Sequence, residues 1–429
     1  MNFEYFFARR MTFGSERAAT GLVIKLYILS IALATATMEI ALSVVTGFET
    51  EIQQKVVGFS ADVVLTHYLE DKHKIMEAIP ITYSETLRDS ILSVSNVESV
   101  SPYIHHVAVM QSSESWDGIM LKGVDSTYNW KYIESVLREG EIPDYSGSAV
   151  SKDIVISKKQ SQNFGLEVGD RARLIFQSRT GNKLIRTIKV AGIYETGMEE
   201  FDNQFMICHI DRLRQVWKWE DDQVSGLEVD LKNFNNKEPY KLNLTGLPLI
   251  QREPSNLIQT TDSITQVARI DQKARAITDI MPEIFDWLNL QHQNVWVILG
   301  LMVVVAIINM TGVILISIIE RTKTIGILKA LGLSSGRVQR LFVFNAFFLI
   351  SLGVIFGNIL GLGLLWSQYT FAWLKIPQAD YFIDTVPVSW EWDSFLAVNL
   401  AVVLISTIFM FIPTLVIDKI SPLKAIRFD

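Results

Sequence analysis

The sequence has few of the residues and motifs that mark disulfide-stabilised, metal-binding or ATP-binding proteins. Cys208 is the only cysteine, so no disulfide bond forms within the chain and any water-exposed domain depends on its own hydrophobic core. No segment has the form Gly-x-x-x-x-Gly-Lys-Ser/Thr, so the chain lacks the phosphate-binding loop of many ATPases. There is also no His-Glu-x-x-His sequence and no cluster of Cys and His ligands.

Other signs of chemistry are equally weak. His105 and His106 are adjacent, and on a β-strand they point to opposite faces, which argues against shared metal ligation. No nucleophile lies in a recognisable strand-to-helix elbow. The net charge of −7, without a basic aromatic-rich patch, argues against nucleic acid as a partner. We therefore expect no catalytic residue, no metal, no cofactor bound by this chain and no enzymatic activity.

Charge is scarce overall and absent from long segments. Charged residues make up 20% and hydrophobic residues 49% of the 429 residues, which fits a few membrane helices joined to a large water-exposed domain. The segments 295–319 and 341–374 contain no charged residue. Because about 20 apolar residues cross a bilayer as a helix, both are expected to span the membrane.

Between these two spans lies a short basic segment, residues 320–340. It holds five cationic residues against one acid, Glu320, so the positive-inside rule places it in the cytoplasm. The cations are Arg321, Lys323, Lys329, Arg337 and Arg340.

The rest of the topology follows from that placement. The first span reads as a retained signal anchor, the loop after the third span is acidic, and the tail after the fourth span is basic, so both termini are expected in the cytoplasm. Residues 60–261 mix β-rich runs with short helical pieces, and the heptad spacing of Ile270, Ile277 and Ile284 predicts a second stalk helix that Pro282 kinks or breaks. We predict an α+β membrane protein with four transmembrane helices and a large mixed α/β extracytoplasmic domain on helical stalks.

The predicted order is a cytoplasmic amphipathic segment (1–21), the first span (22–47), a stalk (48–59), the extracytoplasmic domain (60–261), a stalk helix (262–294), the second span (295–319), the cytoplasmic loop (320–340), the third span (341–366), an outer loop (367–394), the fourth span (395–417) and a cytoplasmic tail (418–429).

Small and polar residues within the spans indicate close helix packing. Gly353, Gly357 and Gly361 recur every four residues, which is typical of a ridge where another membrane helix approaches closely. Asn309 and Asn358 are expected to form hydrogen bonds between helices. Glu39 lies within the first span, and the sequence leaves open whether it is hydrated near the outer headgroups or faces a protein interface.

The basic loop has helical periodicity of its own. Ile325, Leu328 and Leu331 fall on one side of a short helix, and Gly332 is suited to the left-handed conformation that ends it. Such a helix would present an apolar stripe and two lysines to the cytosol. It either rests on lipid headgroups or docks on a protein, and the pattern alone does not decide between them.

The segment Glu320-Arg-Thr-Lys-Thr-Ile-Gly-Ile-Leu-Lys-Ala-Leu-Gly332 closely resembles the coupling-loop signature of FtsX/MacB-type ABC permeases. In that family the loop seats on the nucleotide-binding subunit, which holds ATP and Mg²⁺. The resemblance therefore implies an ATPase-docking site at Glu320, Arg321, Lys323, Ile325, Gly326, Ile327, Leu328, Lys329, Ala330, Leu331 and Gly332.

Further segments resemble the lipoprotein-releasing branch, the LolC/LolE type. They are Ser43–Gln53 at the end of the first span, Met120–Asp125, Gly165–Asp170, Ala191–Glu195 and Glu200–Asp202. MacB-type permeases carry a fused ATPase that is missing here, and cell-division FtsX proteins have a smaller outer domain, so both differences favour the lipoprotein-release branch.

The resemblance implies a multi-pass permease of the bacterial inner membrane with its large domain in the periplasm. Its partners would be an ATP-binding subunit, a second permease copy or homologue, a lipoprotein substrate, a periplasmic carrier and membrane lipids. Two alternatives remain: a peptide or antimicrobial efflux permease of the MacB type, and a non-transporting, FtsX-like regulator of a cell-wall enzyme. Whether the permease pair is identical or mixed, and which partner this chain would contact, stays open.

The outer ends of the first and second spans are where acyl chains would enter between two such subunits. Gly47, Phe48 and Ile52 on the first stalk, with Leu288 and Val295 leading into the second span, are the expected entrance residues. Ordinary packing of the stalks is the alternative role for these positions.

Overall fold

The computed structural model divides the chain into two compact units. The membrane unit comprises residues 1–51, 287–375 and 385–429, and the α/β unit comprises residues 52–286 and 376–384. The structure describes residues 18–70, 79–111, 116–147, 150–177, 183–234, 240–242, 250–252 and 255–420. The predicted segment 1–21 and tail 418–429 lie largely outside these ranges.

Helices and strands are numbered in chain order. The helices are α1 Ala18–Ser60, α2 Glu85–Leu92, α3 Lys131–Val136, α4 Lys158–Phe164, α5 Glu199–Gln204, α6 Ile210–Trp217, α7 Asn256–Val267, α8 Ile277–Ile280, α9 Pro282–Glu320, α10 Thr322–Ala330, α11 Ser335–Phe371, α12 Gln378–Tyr381, α13 Trp392–Phe409 and α14 Phe411–Thr414, followed by a 3₁₀ turn at Leu415–Lys419. The strands are β1 Val63–His67, β2 Ile81–Thr82, β3 Val97–Gln111, β4 Trp116–Val124, β5 Leu137–Gly140, β6 Asp153–Ser157, β7 Arg171–Gln177, β8 Lys183–Tyr194, β9 Phe205–His209, β10 Gln223–Val224, β11 Gly226–Leu231, β12 Tyr240–Leu242, β13 Ile250–Arg252 and β14 Gln272–Ala276.

Four helical segments of the described chain are long and apolar enough to cross a membrane. They are Ile24–Ser60, Pro282–Ile308, Ser335–Phe371 and Trp392–Lys419. The last one changes from α-helix to shorter turns after Phe409, next to Pro413, whose ring and missing N–H interrupt the helical hydrogen bonds. The α+β architecture with four membrane helices is confirmed.

Helices α1 and α11 approach each other closely along the glycine ridge of α11. Only glycine allows this approach, because an added Cβ atom would come too close to α1 at each position. The separations would be 2.6 Å from Ile31 Cβ at Gly353, 2.7 Å from Thr35 Cβ at Gly357 and 2.6 Å from Glu39 Oε2 at Gly361.

A polar network joins α1, α11 and α13 beside this ridge. The Asn399 amide donates to Glu39 Oε1 at 3.0 Å, and the Asn358 amide donates to Asn399 Oδ1 at 2.6 Å. Glu39 is 0% exposed, so the structure places its carboxyl group at a helix interface and not among hydrated headgroups. The side chain of Asn309 lies outside the described residues.

In the α/β unit, six strands pair in a closed ring. The order is β3, β4, β9, β6, β8, β7 and back to β3, with β4–β9 and β6–β8 parallel and the other pairs antiparallel. The ring closes because β3 is long: its first half pairs with β11 and its last residues pair with β7. Beyond β11 the sheet continues through β1 to β14.

The prediction of a single stalk helix over residues 262–294 is wrong. Helix α7 ends at Val267, and residues 272–276 form β14, which covers the free edge of β1. The short helix α8 follows the strand, and the long helix α9 begins at Pro282, which suits a first turn because its missing N–H would have no helical partner there. Ile270, the first residue of the predicted stripe, is fully exposed, whereas Ile277 and Ile284 are buried.

The C-terminal end of α1 is held in the core of the α/β unit. The Phe59 ring stacks on Phe201 at 4.4 Å between ring centroids, and the Phe59 carbonyl accepts a 2.6 Å hydrogen bond from Lys122 Nζ. Lys122 is 1% exposed, and its ammonium group also lies 2.7 Å from Glu228 Oε1 and 4.8 Å from the centre of the Tyr128 ring. Burial disfavours this ammonium group, but Glu228 and Tyr128 outweigh burial and raise the pKa of Lys122, so it is charged.

The outer loop between α11 and α13 has ordered structure. A short bridge pairs Lys375 with Thr385, and the Gln368 amide donates to the Val386 carbonyl at 3.0 Å. The segment 376–384 belongs to the α/β unit, where Lys55 Nζ donates to the Phe382 carbonyl at 3.0 Å.

The helix contact predicts that Gly357→Ala is destabilising. Its new methyl group would lie 2.8 Å from the Ala32 carbonyl oxygen, and overpacking of this kind costs about 1–3 kcal/mol. Gly363→Ala on the same helix is the matched control, because a Cβ atom there meets nothing within 4 Å. Thermal unfolding of both purified variants measures the effect. Equal midpoint temperatures for the two variants would contradict the close contact between α1 and α11 at Gly357.

Candidate functional site

The candidate site is the helix α10 with the turns on either side of it. The helix begins after Arg321 and ends in a turn where the Leu333 N–H donates to the Leu328 carbonyl at 3.1 Å. Gly332 has φ +92°, the left-handed conformation that closes such a turn, as its position in the sequence suggested. Helix α11 then starts at Ser335.

One face of α10 is packed into the membrane unit. Ile325 is 1% exposed and belongs to the buried core of that unit, Leu328 packs against the same core, and Gly326 is buried. The predicted stripe of Ile325, Leu328 and Leu331 facing the cytosol is therefore wrong. Two of its three residues face inward, because packing against the apolar ends of the spans removes these side chains from water.

Lys329 does not face outward either. Its ammonium group donates to the carbonyl of Ile417 at 2.6 Å and to that of Ile420 at 3.0 Å. These carbonyls lie at the end of the 3₁₀ turn Leu415–Lys419, where backbone acceptors attract a cation, and the Ile417 carbonyl also accepts the Ile420 N–H at 3.2 Å. The expectation that Lys329 points to the cytosol is thus corrected: it binds the end of the fourth span to α10.

The outward face of α10 is apolar with basic residues near it. Ile327 is 52% and Leu331 is 75% exposed, and they lie four residues apart on one side of the helix. Lys323, Ala330 and Gly332 are also exposed.

The flanking charges are placed as follows. Glu320 is exposed and Arg321 is half-buried. Burial lowers the pKa of the Arg321 guanidinium, and Glu320 acts in the opposite direction. Arg337 and Arg340 are exposed on the first turns of α11. This combination of apolar side chains and cations is able to bind an apolar groove with an acidic rim, or anionic headgroups.

The end of the fourth span is a part of the site that sequence reasoning missed. Besides the two carbonyls bound by Lys329, Asp418 Oδ2 accepts a 3.1 Å hydrogen bond from the Gln339 amide at the start of α11. Pro413 was the available signal, since a proline near the end of an apolar run predicts that the helix breaks before the tail.

The predicted entrance residues are mostly buried within the chain. Ile52 is 0%, Leu288 6% and Val295 3% exposed, and Phe48 is half-buried. Gly47 is buried, and a Cβ atom there would lie 2.9 Å from the Pro387 carbonyl oxygen of the outer loop. Their part in a substrate path stays a prediction.

Elsewhere, the histidine pair of β3 packs among aromatic rings. His105 contacts Tyr103 at 4.5 Å and His106 contacts Trp217 at 4.5 Å between ring centroids. Burial and the nearby Lys122 lower the pKa of His105 to about 3, so its ring is neutral. Within the described ranges, no three His, Cys, Asp or Glu side chains are arranged to hold a metal ion.

Comparison with known proteins covers most of the chain. Residues 26–245 match the MacB-like periplasmic core domain, and residues 296–422 match the FtsX-like permease C-terminal family. The lipoprotein-releasing system transmembrane protein LolC of Xylella fastidiosa is 21% identical over 425 residues, which cover 94% of this chain and 93% of that protein. LolC of Neisseria meningitidis serogroup B is 23% identical with the same coverage, and LolE of Haemophilus influenzae is 19% identical over 99% of both chains.

Among solved structures, the periplasmic region of MacB from Actinobacillus actinomycetemcomitans is similar with a TM-score of 0.33 and 11% identity. It covers 52% of this chain and 91% of that structure.

The position of Lys329 predicts a local effect of Lys329→Met. The substitution keeps an unbranched side chain, one atom shorter than lysine, but removes the ammonium donor from the Ile420 carbonyl and leaves the Ile417 carbonyl with only the Ile420 N–H, at a cost of about 1–3 kcal/mol. Backbone amides in residues 415–420 should then exchange hydrogen for deuterium faster than in the parent protein. Arg340→Met, which removes an exposed charge, is the control. Unchanged exchange in Lys329→Met would show that Lys329 does not bind the Ile417 and Ile420 carbonyls.

Proposed function

Because the chain belongs to the family of ABC-transporter permeases that combine an FtsX-like C-terminal region with a MacB-like periplasmic core domain, we propose that it couples ATP hydrolysis by a separate subunit to the release of lipoproteins from the inner membrane. It is a membrane protein with a periplasmic domain. The observation that carries the finer proposal is its similarity along nearly the whole chain to lipoprotein-releasing LolC and LolE proteins.

The chemistry of a lipoprotein explains why such a permease needs an energy source. Moving an acyl chain out of a bilayer opposes about 0.8 kcal/mol per methylene group, so three chains do not leave by thermal motion alone. The sequence has no phosphate-binding loop, so ATP and Mg²⁺ are assigned to a partner subunit. Release into the periplasm would then transfer the lipoprotein to a soluble carrier.

We assign the docking of the ATP-binding subunit to the outward face of α10. Ile327 and Leu331 supply the apolar contact, and Lys323, Arg337 and Arg340 supply positive charge for an acidic rim. The positive-inside rule, applied to the same cations, supports the proposal that this face lies in the cytoplasm with both chain termini on that side.

A second permease copy or homologue completes the proposed transporter. The apolar residues Val297, Leu301 and Ile308 of α9 are 66%, 59% and 64% exposed in the single chain, so this helix meets either lipid or another subunit. The substrate would enter at the outer ends of the first and second spans, near Phe48 and Ile52.

Two related functions are the alternatives: peptide or antimicrobial efflux of the MacB type, and FtsX-like mechanical control of a cell-wall enzyme. The match to the MacB-like core domain is compatible with both. They differ from lipoprotein release in what leaves the membrane when ATP is hydrolysed.

A reconstituted release assay tests the proposal. The chain, its ATP-binding subunit and its permease partner are placed in liposomes with a fluorescent triacylated lipoprotein, and a soluble carrier is added outside. We expect ATP to move the lipoprotein into the soluble fraction and a non-hydrolysable analogue to leave it in the membrane. Transport of a peptide without lipoprotein release would favour the efflux function, and hydrolysis that moves neither would favour mechanical control.

The docking assignment predicts that Leu331→Asp and Ile327→Asp separate the permease from its ATPase. A carboxylate in a desolvated apolar contact lacks a partner and costs about 1–3 kcal/mol or more, so co-purification of the ATPase should fall at least about tenfold. Ile185→Asp is the matched control, since Ile185 is 57% exposed on β8 of the periplasmic domain. If α10 only rests on lipid, all three variants retain the ATPase equally.

A further inference from the structure

A cavity of about 200 Å³ lies in the α/β unit where α1 ends and the sheet begins. Its walls come from the last turn of α1 and the link to β1, from β3 and β11, and from the turn before α3 together with the first residues of α3. The residues that matter for its chemistry are Asp62, Glu98, Glu228, Asp230, Tyr128 and Tyr132.

Asp62 is the central group of this cavity. It is 3% exposed, and its Oδ2 accepts a 2.6 Å hydrogen bond from the Leu231 N–H. Its other oxygen, Oδ1, is buried and has no hydrogen-bond partner among the residues that the structure describes. A buried carboxylate oxygen without a donor is costly, so this atom is suited to a ligand that donates a hydrogen bond.

The charges around Asp62 leave the cavity negative. Glu228 is paired with Lys122 at 2.7 Å, and Glu98 is paired with Lys131 at 3.6 Å. Asp230 accepts hydrogen bonds from Ser99 at 2.6 Å and Asn129 at 3.1 Å, both neutral. Within the described chain neither Asp62 nor Asp230 forms an ion pair, so two carboxyl groups lack a cation.

Two further features of the wall favour positive charge. The last turn of α1, residues 57–59, lines the cavity, and a helix C-terminus carries partial negative charge. Tyr128 and Tyr132 also line it, and aromatic faces attract ammonium groups. The chain itself supplies a precedent, because the Lys122 ammonium lies between the Phe59 carbonyl, Glu228 and the Tyr128 ring.

From these contacts we propose that the cavity is a binding site for a primary ammonium group on a short alkyl stem, held by Asp62 Oδ1 and Asp230. The ammonium group comes either from a small free amine or from a lysine side chain of a polypeptide. A metal ion fits less well, because no trio of acidic or histidine ligands in the described chain is arranged to hold one. This site is independent of the docking face on α10 and of what the permease transports.

Equilibrium dialysis of the full-length protein in detergent, with radiolabelled n-propylammonium as the probe, tests the site. We expect saturable binding that Asp62→Asn weakens by about tenfold or more, because a charge-assisted hydrogen bond is lost while the acceptor for Leu231 is kept. Asp230→Asn should weaken propylammonium binding as well. If Asp62→Asn does not fold, binding by Asp230→Asn alone tests the proposal. Glu220→Gln, which removes an exposed acid outside the cavity, is the matched control and should bind as the parent does.

The pH dependence gives a second readout. Burial raises the pKa of Asp62 to about 7. The hydrogen bond from the Leu231 N–H acts in the opposite direction, and the charges of Asp230 and Glu98 add to the effect of burial. An alkylammonium stays charged between pH 6 and 8, so lowering the pH from 8 to 6 should weaken binding by about tenfold as Asp62 becomes protonated. Asp62→Asn should show no such change.

Competition identifies the source of the amine. Displacement of the probe by the blocked peptide acetyl-Ala-Lys-Ala-amide, but not by its norleucine analogue, supports a lysine side chain as the ligand. Displacement by free amines alone supports a small molecule. No saturable binding, equal binding by Asp62→Asn and Asp230→Asn, or binding of Ca²⁺ in place of propylammonium would overturn the proposal.

Discussion

A buried ammonium group organises the α/β unit. Lys122 on β4 binds the Phe59 carbonyl at the end of α1 and pairs with Glu228 on β11, so one side chain ties a helix to two strands. In surroundings nearly free of water this arrangement is stable only while every partner is present, since removal of one leaves an uncompensated buried charge. The position at which α1 ends therefore depends on the register of β4 and β11. The neighbouring acidic cavity exists because the same helix end supplies its wall.

The membrane unit follows a different principle, since lipid provides no hydrophobic force between helices. Close approach comes from small residues, the glycine ridge of α11 against α1, and the polar groups beside it bond to one another. Glu39 is buried and Asn358 and Asn399 are half-buried at this interface, so their network also restricts which residues of α1, α11 and α13 can face each other.

Helix α10 has two faces with separate roles. Its inner face belongs to the core formed by the spans, and Lys329 binds the end of the fourth span. A partner that moves the outer face would, in the proposed function, move α9 and α11, the two spans to which α10 is joined. Lys329 of the docking motif thus acts here on the permease itself, and the exposed Ile327 and Leu331 are left to meet the partner.

Much of this architecture was determined by the sequence alone, because it depends on local composition. Charge-free segments of sufficient length predict the spans, the cations between two of them mark the basic loop, and glycines at four-residue spacing mark a packing ridge. Gly332 ends its helix as its conformational freedom predicts. Contacts between distant segments were decided only by the tertiary structure. Residues 272–276 continued a helical period but became a strand because the edge of β1 lacked a partner, and Lys329 turned inward to bind carbonyls about ninety residues away in the chain. Likewise, the burial of Glu39 and the unpartnered oxygen of Asp62 depend on side chains from other elements, which no local pattern specifies.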